Sequence, residues 1–254
     1  MSYIFGAQSE AGIVKTINQD AVALKSVSTD FGDVLFAVVC DGMGGFEKGE
    51  VASATMIKAM LNWFDNDFPS LGDKFTFDDV KNQWNIIIQT MNEKIMSYGK
   101  VDRIKLGTTL SMILMFKNEF YIGHVGDSRI YRFSDRAEIL TEDHTLVAQK
   151  FKEGKITEDE IETDEERNIL LQCIGASRNV KPQFANGKFK QGDVFMLCSD
   201  GFRHEITQNE MLIAFSSDNL KDKNTINIEI AKLIDRAEQR NEEDNITAAV
   251  IKVM

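Results

Sequence analysis

Cysteine, histidine and proline are all scarce in this sequence: three, three and two among 254 residues. Cys40, Cys173 and Cys198 are odd in number and lack Cys-x-x-Cys spacing, which excludes a disulfide framework and a structural zinc site. They read as small buried hydrophobes. None is followed six positions later by arginine, since Phe46, Asn179 and His204 stand there, so a thiolate phosphatase loop is excluded too. Two prolines, Pro69 and Pro182, are too few for a mucin-like or collagen-like chain. Long apolar runs are also missing. The longest, Val34 to Cys40, falls far short of the ~18 residues that a membrane-spanning helix requires. The first residues, MSYIFGAQSEAG, hold no basic leader ahead of an apolar block, so a cytoplasmic protein without membrane contact is expected. Positive charge is in deficit as well. With 29 basic against 40 acidic residues the net charge is -11, and no window is basic enough to hold nucleic acid.

What is present is a globular composition, 43% hydrophobic and 27% charged, in a length that fits one large domain. No repeat and no linker divides it, so a single domain over residues 1–254 is expected. Two stretches repeat apolar residues at helical spacing: Ala52, Met56, Ala59, Met60 and Trp63, then Val80, Trp84, Ile87, Ile88, Met91, Ile95 and Tyr98. Ile230, Leu233, Ile234 and Ala237 form a third stripe. The runs TTLSMILMF, EFYIGHVG, DVFMLCS and NITAAVIKV are short, apolar and β-branched, and read as sheet interiors. The short KNE link between two of them predicts an antiparallel hairpin, and no strand-helix-strand period appears. The fold class expected is therefore α+β.

Four aspartates share one setting. Asp41 follows LFAVVC, Asp127 follows YIGHVG, Asp200 follows FMLCS and Asp244 precedes NITAAVIKV, so each carboxylate lies at the edge of a strand. Three of them adjoin glycine, which also suits an ordinary turn. If the strand ends converge, carboxylates without matching Lys or Arg repel one another, and bound cations offset that repulsion. Oxygen-only ligands select magnesium or manganese over zinc or copper. Two such ions at ~3.5–4 Å activate a shared water and clamp the oxygens of an in-line displacement at phosphorus, which points to phosphoester hydrolysis. GMGG completes neither nucleotide-binding glycine motif.

The segments GIVKTINQDA, FAVVCDGMGGFEKGEVAS, LGTTL, GHVGDSRIYRF, LTEDHTLV, LCSDGF and EDNITAAVI follow one another from Gly12 to Ile251. In that order they resemble the motifs of the bacterial PP2C-type (PPM family) metal-dependent serine/threonine protein phosphatases. The resemblance implies a four-layer α/β/β/α sandwich, with two central antiparallel sheets between helix pairs. It also implies two Mn2+ or Mg2+ ions. Asp41 would bridge them, the Gly42 carbonyl would help bind the second, and Asp200 and Asp244 would complete the shell of the first. Asp127 with Asp200 would hold a third, weaker ion, and Asp20 would orient metal-bound water. Phosphorylated proteins, as substrates of a serine/threonine kinase, are the partners implied, for a protein expected to be monomeric. The alternative is a catalytically weak or silent relative that binds phosphoproteins as a regulator.

Several positions depart from the family pattern. Lys15 stands where an arginine usually grips the substrate phosphate, and a lysine offers a point charge instead of a planar fork. Its other reading is a solvated surface lysine. Gln19 replaces a glutamate beside the second metal, and Met43 stands where animal relatives carry a histidine. Thr108 and Thr109 read as strand packing. His124 fits the core or the site, His144 a structural hydrogen bond, and His204 no catalytic role. Eight acidic residues between Glu153 and Glu166 fall in the family's flap, about 147–180. They read as a solvated helical hairpin or as a surface that disfavours acidic phosphopeptides.

Overall fold

The computed structural model describes residues 1–44, 48–161 and 163–254. Residues 45–47 of the DGMGGFEKGE motif and Glu162 of the acidic segment lie outside them.

Two five-stranded antiparallel sheets form the centre. The first runs β1 (Tyr3–Glu10), β12 (Ile246–Val253), β11 (Val194–Cys198), β8 (Arg129–Phe133) and β9 (Ala137–Ile139). The second runs β10 (Gln183–Lys188), β7 (Glu119–Val125), β6 (Leu110–Phe116), β3 (Gly32–Cys40) and β2 (Ala21–Thr29). A two-stranded ribbon joins β4 (Gly42–Gly44) to β5 (Leu106–Thr108). The hairpin expected at KNE is present, with Glu119 opening β7 and Lys117 in the left-handed region at φ 55°.

Side-chain alternation explains why the Val34 to Cys40 run is apolar without interruption. Val34, Phe36, Val38 and Cys40 point to one face, Leu35, Ala37 and Val39 to the other, and all seven are buried. The first face packs beneath α1 (Gly49–Asn62) and α2 (Phe77–Asp102), through Ala52, Met56, Met60, Trp84 and Ile88. The other face meets the first sheet through Ile130, Phe195, Leu197, Ala249 and Ile251. Beyond that sheet, Met196, Cys198, Ala248 and Val250 pack against α4 (Asp200–Arg203), α5 (Gln208–Ala214) and α6 (Lys223–Gln239). Each fully buried Phe, Ile or Leu contributes ~1.5–3 kcal/mol relative to exposure, so both helical layers are needed to cover a double sheet. This is the four-layer α/β/β/α arrangement that the resemblance implied.

The helical stripes hold with one exception. Tyr98 is half-exposed, and its hydroxyl accepts a hydrogen bond from Lys48 Nζ at 3.1 Å instead of entering the core. Among the described residues of 147–180, where a helical hairpin was one reading, α3 (Leu146–Lys152) is the one α-helix, and a single 3₁₀ turn follows at Glu158–Glu160. Gly154 at φ +69° ends α3, and the acidic stretch after it supplies too few apolar residues for a second helix to pack. The three cysteines are free and buried, as expected.

Candidate metal and phosphate site

Register brings the strand-edge aspartates to one end of the sandwich. Cys198 of β11 pairs with Ala248 of β12, so Asp200, just past one strand, meets Asp244, just before the other. Cys40 of β3 pairs with Ala21 of β2, which sets Asp41 beside Asp20. Leu110 of β6 pairs with Val125 of β7, which brings Thr109 next to Gly126 and Asp127 at the crossing between sheets. The glycines beside the acids answer a packing need more than a turn. A Cβ on Gly42 would come within 2.4 Å of the Gln19 and Gly49 carbonyl oxygens, and one on Gly201 within 2.3 Å of the Asn245 carbonyl oxygen.

Asp41, Asp127, Asp200 and Asp244 line one cleft of about 470 Å³, together with Lys15, Gly42 and His204. Among the described residues, no three His, Cys, Asp or Glu side chains close into a ready-made ligand cage. The carboxylates are nevertheless close enough to disturb one another. Burial first, then repulsion from Asp20, Asp200, Asp127 and Asp244, pushes the Asp41 carboxyl well above the usual range. Burial likewise pushes Asp127 up to about 7, aided by Asp200 and opposed by Arg203. Asp20 lies behind the cleft, not in its lining. Burial raises it to about 7 although the Thr247 and Ser199 hydroxyls hydrogen-bond it.

The backbone of Asp41 is held on three sides. Its N–H donates to Thr109 Oγ1 at 2.9 Å, and its carbonyl accepts from Thr108 Oγ1 at 3.0 Å and Thr109 N–H at 2.8 Å. Thr109 Oγ1 also bonds Ser128 Oγ at 2.7 Å. The two threonines thus clamp a site residue, where strand packing was expected. Asn245 is a second residue that sequence reasoning left without a role. Its Oδ1 accepts from Gln19 N–H at 2.9 Å, and its Nδ2 donates to the carbonyls of Ala11 at 3.0 Å and Ile17 at 3.2 Å. It therefore ties the loop carrying Lys15 to the neighbour of Asp244. Its place directly after Asp244 was the one available signal.

The acids are not without positive neighbours, contrary to expectation. Lys15 Nζ stands 3.5 Å from Asp244 Oδ1, both half-exposed, and Lys105 also lines the cleft. Hydrogen-bond complementarity sets the Gln19 amide with its nitrogen 3.1 Å from the Gly42 carbonyl oxygen and its oxygen 3.2 Å from Gly49 N. Of the histidines, His124 is fully buried, bonded to Ser111 Oγ and within reach of the Gly126 and Glu142 carbonyls. His144 accepts from Gly126 N–H at 3.2 Å, the structural bond expected of it. Burial pulls His204 down, but Glu242 and Asp200 outweigh it and hold its imidazole above the ordinary value.

The donor set fits hard divalent cations. Its carboxylates and the Gly42 carbonyl offer hard oxygen ligands, and Asp200 Oδ1 is buried without a hydrogen-bond partner, as is Asp20 Oδ2.

Comparison with other proteins agrees. Residues 10–248 match the family model for Protein phosphatase 2C. The serine/threonine phosphatase stp of Listeria monocytogenes is 30% identical over 218 residues, covering 85% of this chain and 83% of that protein. The S. agalactiae serine/threonine phosphatase structure matches with a TM-score of 0.83 at 27% identity, over 100% of both chains. The catalytic domain of the serine threonine protein phosphatase PstP, solved in complex with two manganese ions, matches with a TM-score of 0.79 at 25% identity, again over 100% of both. This chain belongs to the protein phosphatase 2C family of metal-dependent serine/threonine phosphatases.

Proposed function

We propose that this protein removes phosphate from phosphoserine and phosphothreonine of other proteins at a centre of two manganese or magnesium ions. The observation that carries the reading is the bare, buried Oδ1 of Asp200 in a cleft that Asp41, Asp127 and Asp244 also line. A buried carboxylate oxygen without a partner is costly, and a cation is the partner that removes the cost. The manganese ions of the PstP structure support the same choice of metal.

Asp41 would stand between the two ions, with the Gly42 carbonyl toward the second, while Asp200 and Asp244 would complete the set around the first. Asp127 with Asp200 would suit a third and weaker ion. Bound ions of this kind lower the pKa of water and stabilise charge on phosphoryl oxygens. The chain's own residues do the rest. Thr108 and Thr109 fix the backbone of Asp41, Asp20 orients water from behind the cleft, and Lys15 receives the substrate phosphate as a mobile point charge. The water oxygen joins phosphorus as the bond to the serine or threonine oxygen breaks, which gives inorganic phosphate and a free hydroxyl without a phosphoenzyme. The reading extends to one catalytic domain over residues 1–254 with its flap at 147–180. It would act as a cytoplasmic monomer on the products of a serine/threonine kinase.

Hydrolysis of an aryl phosphate with manganese, with and without a chelator, tests the reading. Turnover is expected to stop on chelation and in Asp41→Asn and Asp200→Asn. Turnover that survives chelation, or a trapped phosphoenzyme, would overturn it.

A further inference from the structure

Asp200 opens the four-residue α4, and the His204 N–H donates to the Asp200 carbonyl at 3.0 Å, so His204 sits one helical turn on and over the same face. Its Nε2 stands 3.6 Å from Asp200 Oδ2. From the opposite side of the ring, Nδ1 stands 3.4 Å from Glu242 Oε2. Glu242 is buried, and its other oxygen, Oε1, accepts the N–H of Glu243 at 3.0 Å and of Asp244 at 2.9 Å. One imidazole and one carboxylate thus span the gap between two acids that come from different segments of the chain.

We infer that His204, braced by Glu242, is a positioning residue that ties the Asp200 carboxylate to the segment carrying Asp244, so that both acids face one divalent ion. The inference rests on the metal-dependent reading above. The geometry accounts for the uneven use of the Asp200 oxygens. Oδ2 faces the imidazole, which leaves Oδ1 bare and buried for a ligand. Partners behind metal-ligating groups fix their orientation, and removing such a partner commonly costs ~10–100-fold in metal affinity. Glu242 adds a second constraint, because the same carboxylate that holds the ring also holds the backbone of Asp244.

The rival account gives the opposite sign. If His204 were only a positive neighbour of Asp200, it would compete with a metal ion, and its removal would tighten metal binding. Calorimetric titration of manganese alone into the metal-stripped protein separates the two. His204→Ala and Glu242→Gln are each expected to weaken manganese binding ~10–100-fold, and the double variant to bind no worse than the weaker single, because the two residues act as one unit. At saturating manganese the KM for an aryl phosphate is expected to stay that of wild type, since neither residue receives the phosphate. Unchanged or tighter manganese binding in His204→Ala overturns the inference, as do losses that add in the double variant. If His204→Ala fails to melt cooperatively, the isosteric Glu242→Gln carries the same test. Wild type that binds no manganese would sink the metal-dependent reading itself, whereas wild type and both variants binding it equally would sink only the bridge.

Discussion

The Arg129 guanidinium grips the Asp143 carboxylate in a two-pronged contact, Nε to Oδ1 at 2.9 Å and Nη2 to Oδ2 at 2.7 Å, at a place where both side chains are almost closed to solvent. Arg203 approaches the same carboxylate at 3.5 Å and donates to the Asp127 carbonyl at 3.2 Å, so the pair also braces the strand crossing that carries Asp127. Burial alone would raise the Asp143 carboxyl, but the Arg129 hydrogen bonds outweigh it and hold it below the usual range. Arg129→Ala leaves a buried carboxylate without its main partner and is expected to lower stability by ~3–5 kcal/mol in urea unfolding.

The same pair sets a pH dependence. Because the folded-state pKa of Asp143 is lowered, its contribution is complete above the unfolded carboxyl value of ~3.9 and is lost as pH falls through the folded value. Asp143→Asn cannot titrate. The stability gap between wild type and Asp143→Asn should therefore be widest near neutrality and shrink once pH drops below ~4, as read from unfolding midpoints across pH. A constant gap down to pH 3 would remove Asp143 as the source.

Thr109→Val keeps the shape of the side chain and removes the oxygen that accepts the Asp41 N–H. Stranding that buried donor is expected to cost ~1–3 kcal/mol of stability. Since Asp41 is displaced while Lys15 is untouched, kcat for an aryl phosphate should fall more than KM rises. A change confined to KM would show that Thr109 does not act through Asp41.

Much of this arrangement is legible in the residues themselves. Unbroken apolar runs such as Val34 to Cys40 report burial on both faces, and the short link after Phe116 reports antiparallel pairing, whereas two sheets packed face to face were implied by the family resemblance alone. The acid-glycine pairs mark strand edges and suit an ordinary turn equally well, and it is strand register that brings them together. Contacts between residues far apart in sequence leave no such trace. Nothing near Thr109 announces that its hydroxyl meets Asp41, and nothing in Glu242 announces that it meets both His204 and the Asp244 amide. The Lys15–Asp244 contact is of the same kind, made from a loop whose Ala11 and Ile17 carbonyls Asn245 holds. An acidic stretch forms no stable helix without an apolar stripe to bury, so among the described residues after α3 a 3₁₀ turn at Glu158–Glu160 stands where a second helix was expected.

Lys15 is half-exposed and meets Asp244 at 3.5 Å, a long contact that a phosphate dianion can displace. Lys15→Ala should raise KM for a phosphothreonine peptide by about tenfold, the equivalent of one charge-assisted hydrogen bond of ~1.5 kcal/mol, with kcat changed far less. Lys15→Arg should lower KM, because a planar fork binds phosphate through two donors. Steady-state kinetics on the three proteins decides the matter. Equal KM values for all of them would return Lys15 to the status of a solvated surface charge.

Gln19 holds the Gly42 carbonyl through its amide nitrogen and thereby occupies an oxygen proposed to serve the second ion. Gln19→Glu replaces that donor with a carboxylate. Without metal, two oxygens then face each other beside four acids already under mutual strain, and the melting temperature should fall below that of wild type. With manganese the sign reverses, because the new carboxylate is a better ligand than a neutral amide for a hard cation. Ligand that binds only the folded state adds ~2.7 kcal/mol of stability at one hundred times its dissociation constant, so a tighter second site means a larger rise in melting temperature at any given manganese concentration. Melting curves of both proteins, chelated and then titrated with manganese, should cross. Parallel curves would mean that position 19 lies outside the metal's reach, and that the Gly42 carbonyl serves Gln19 alone.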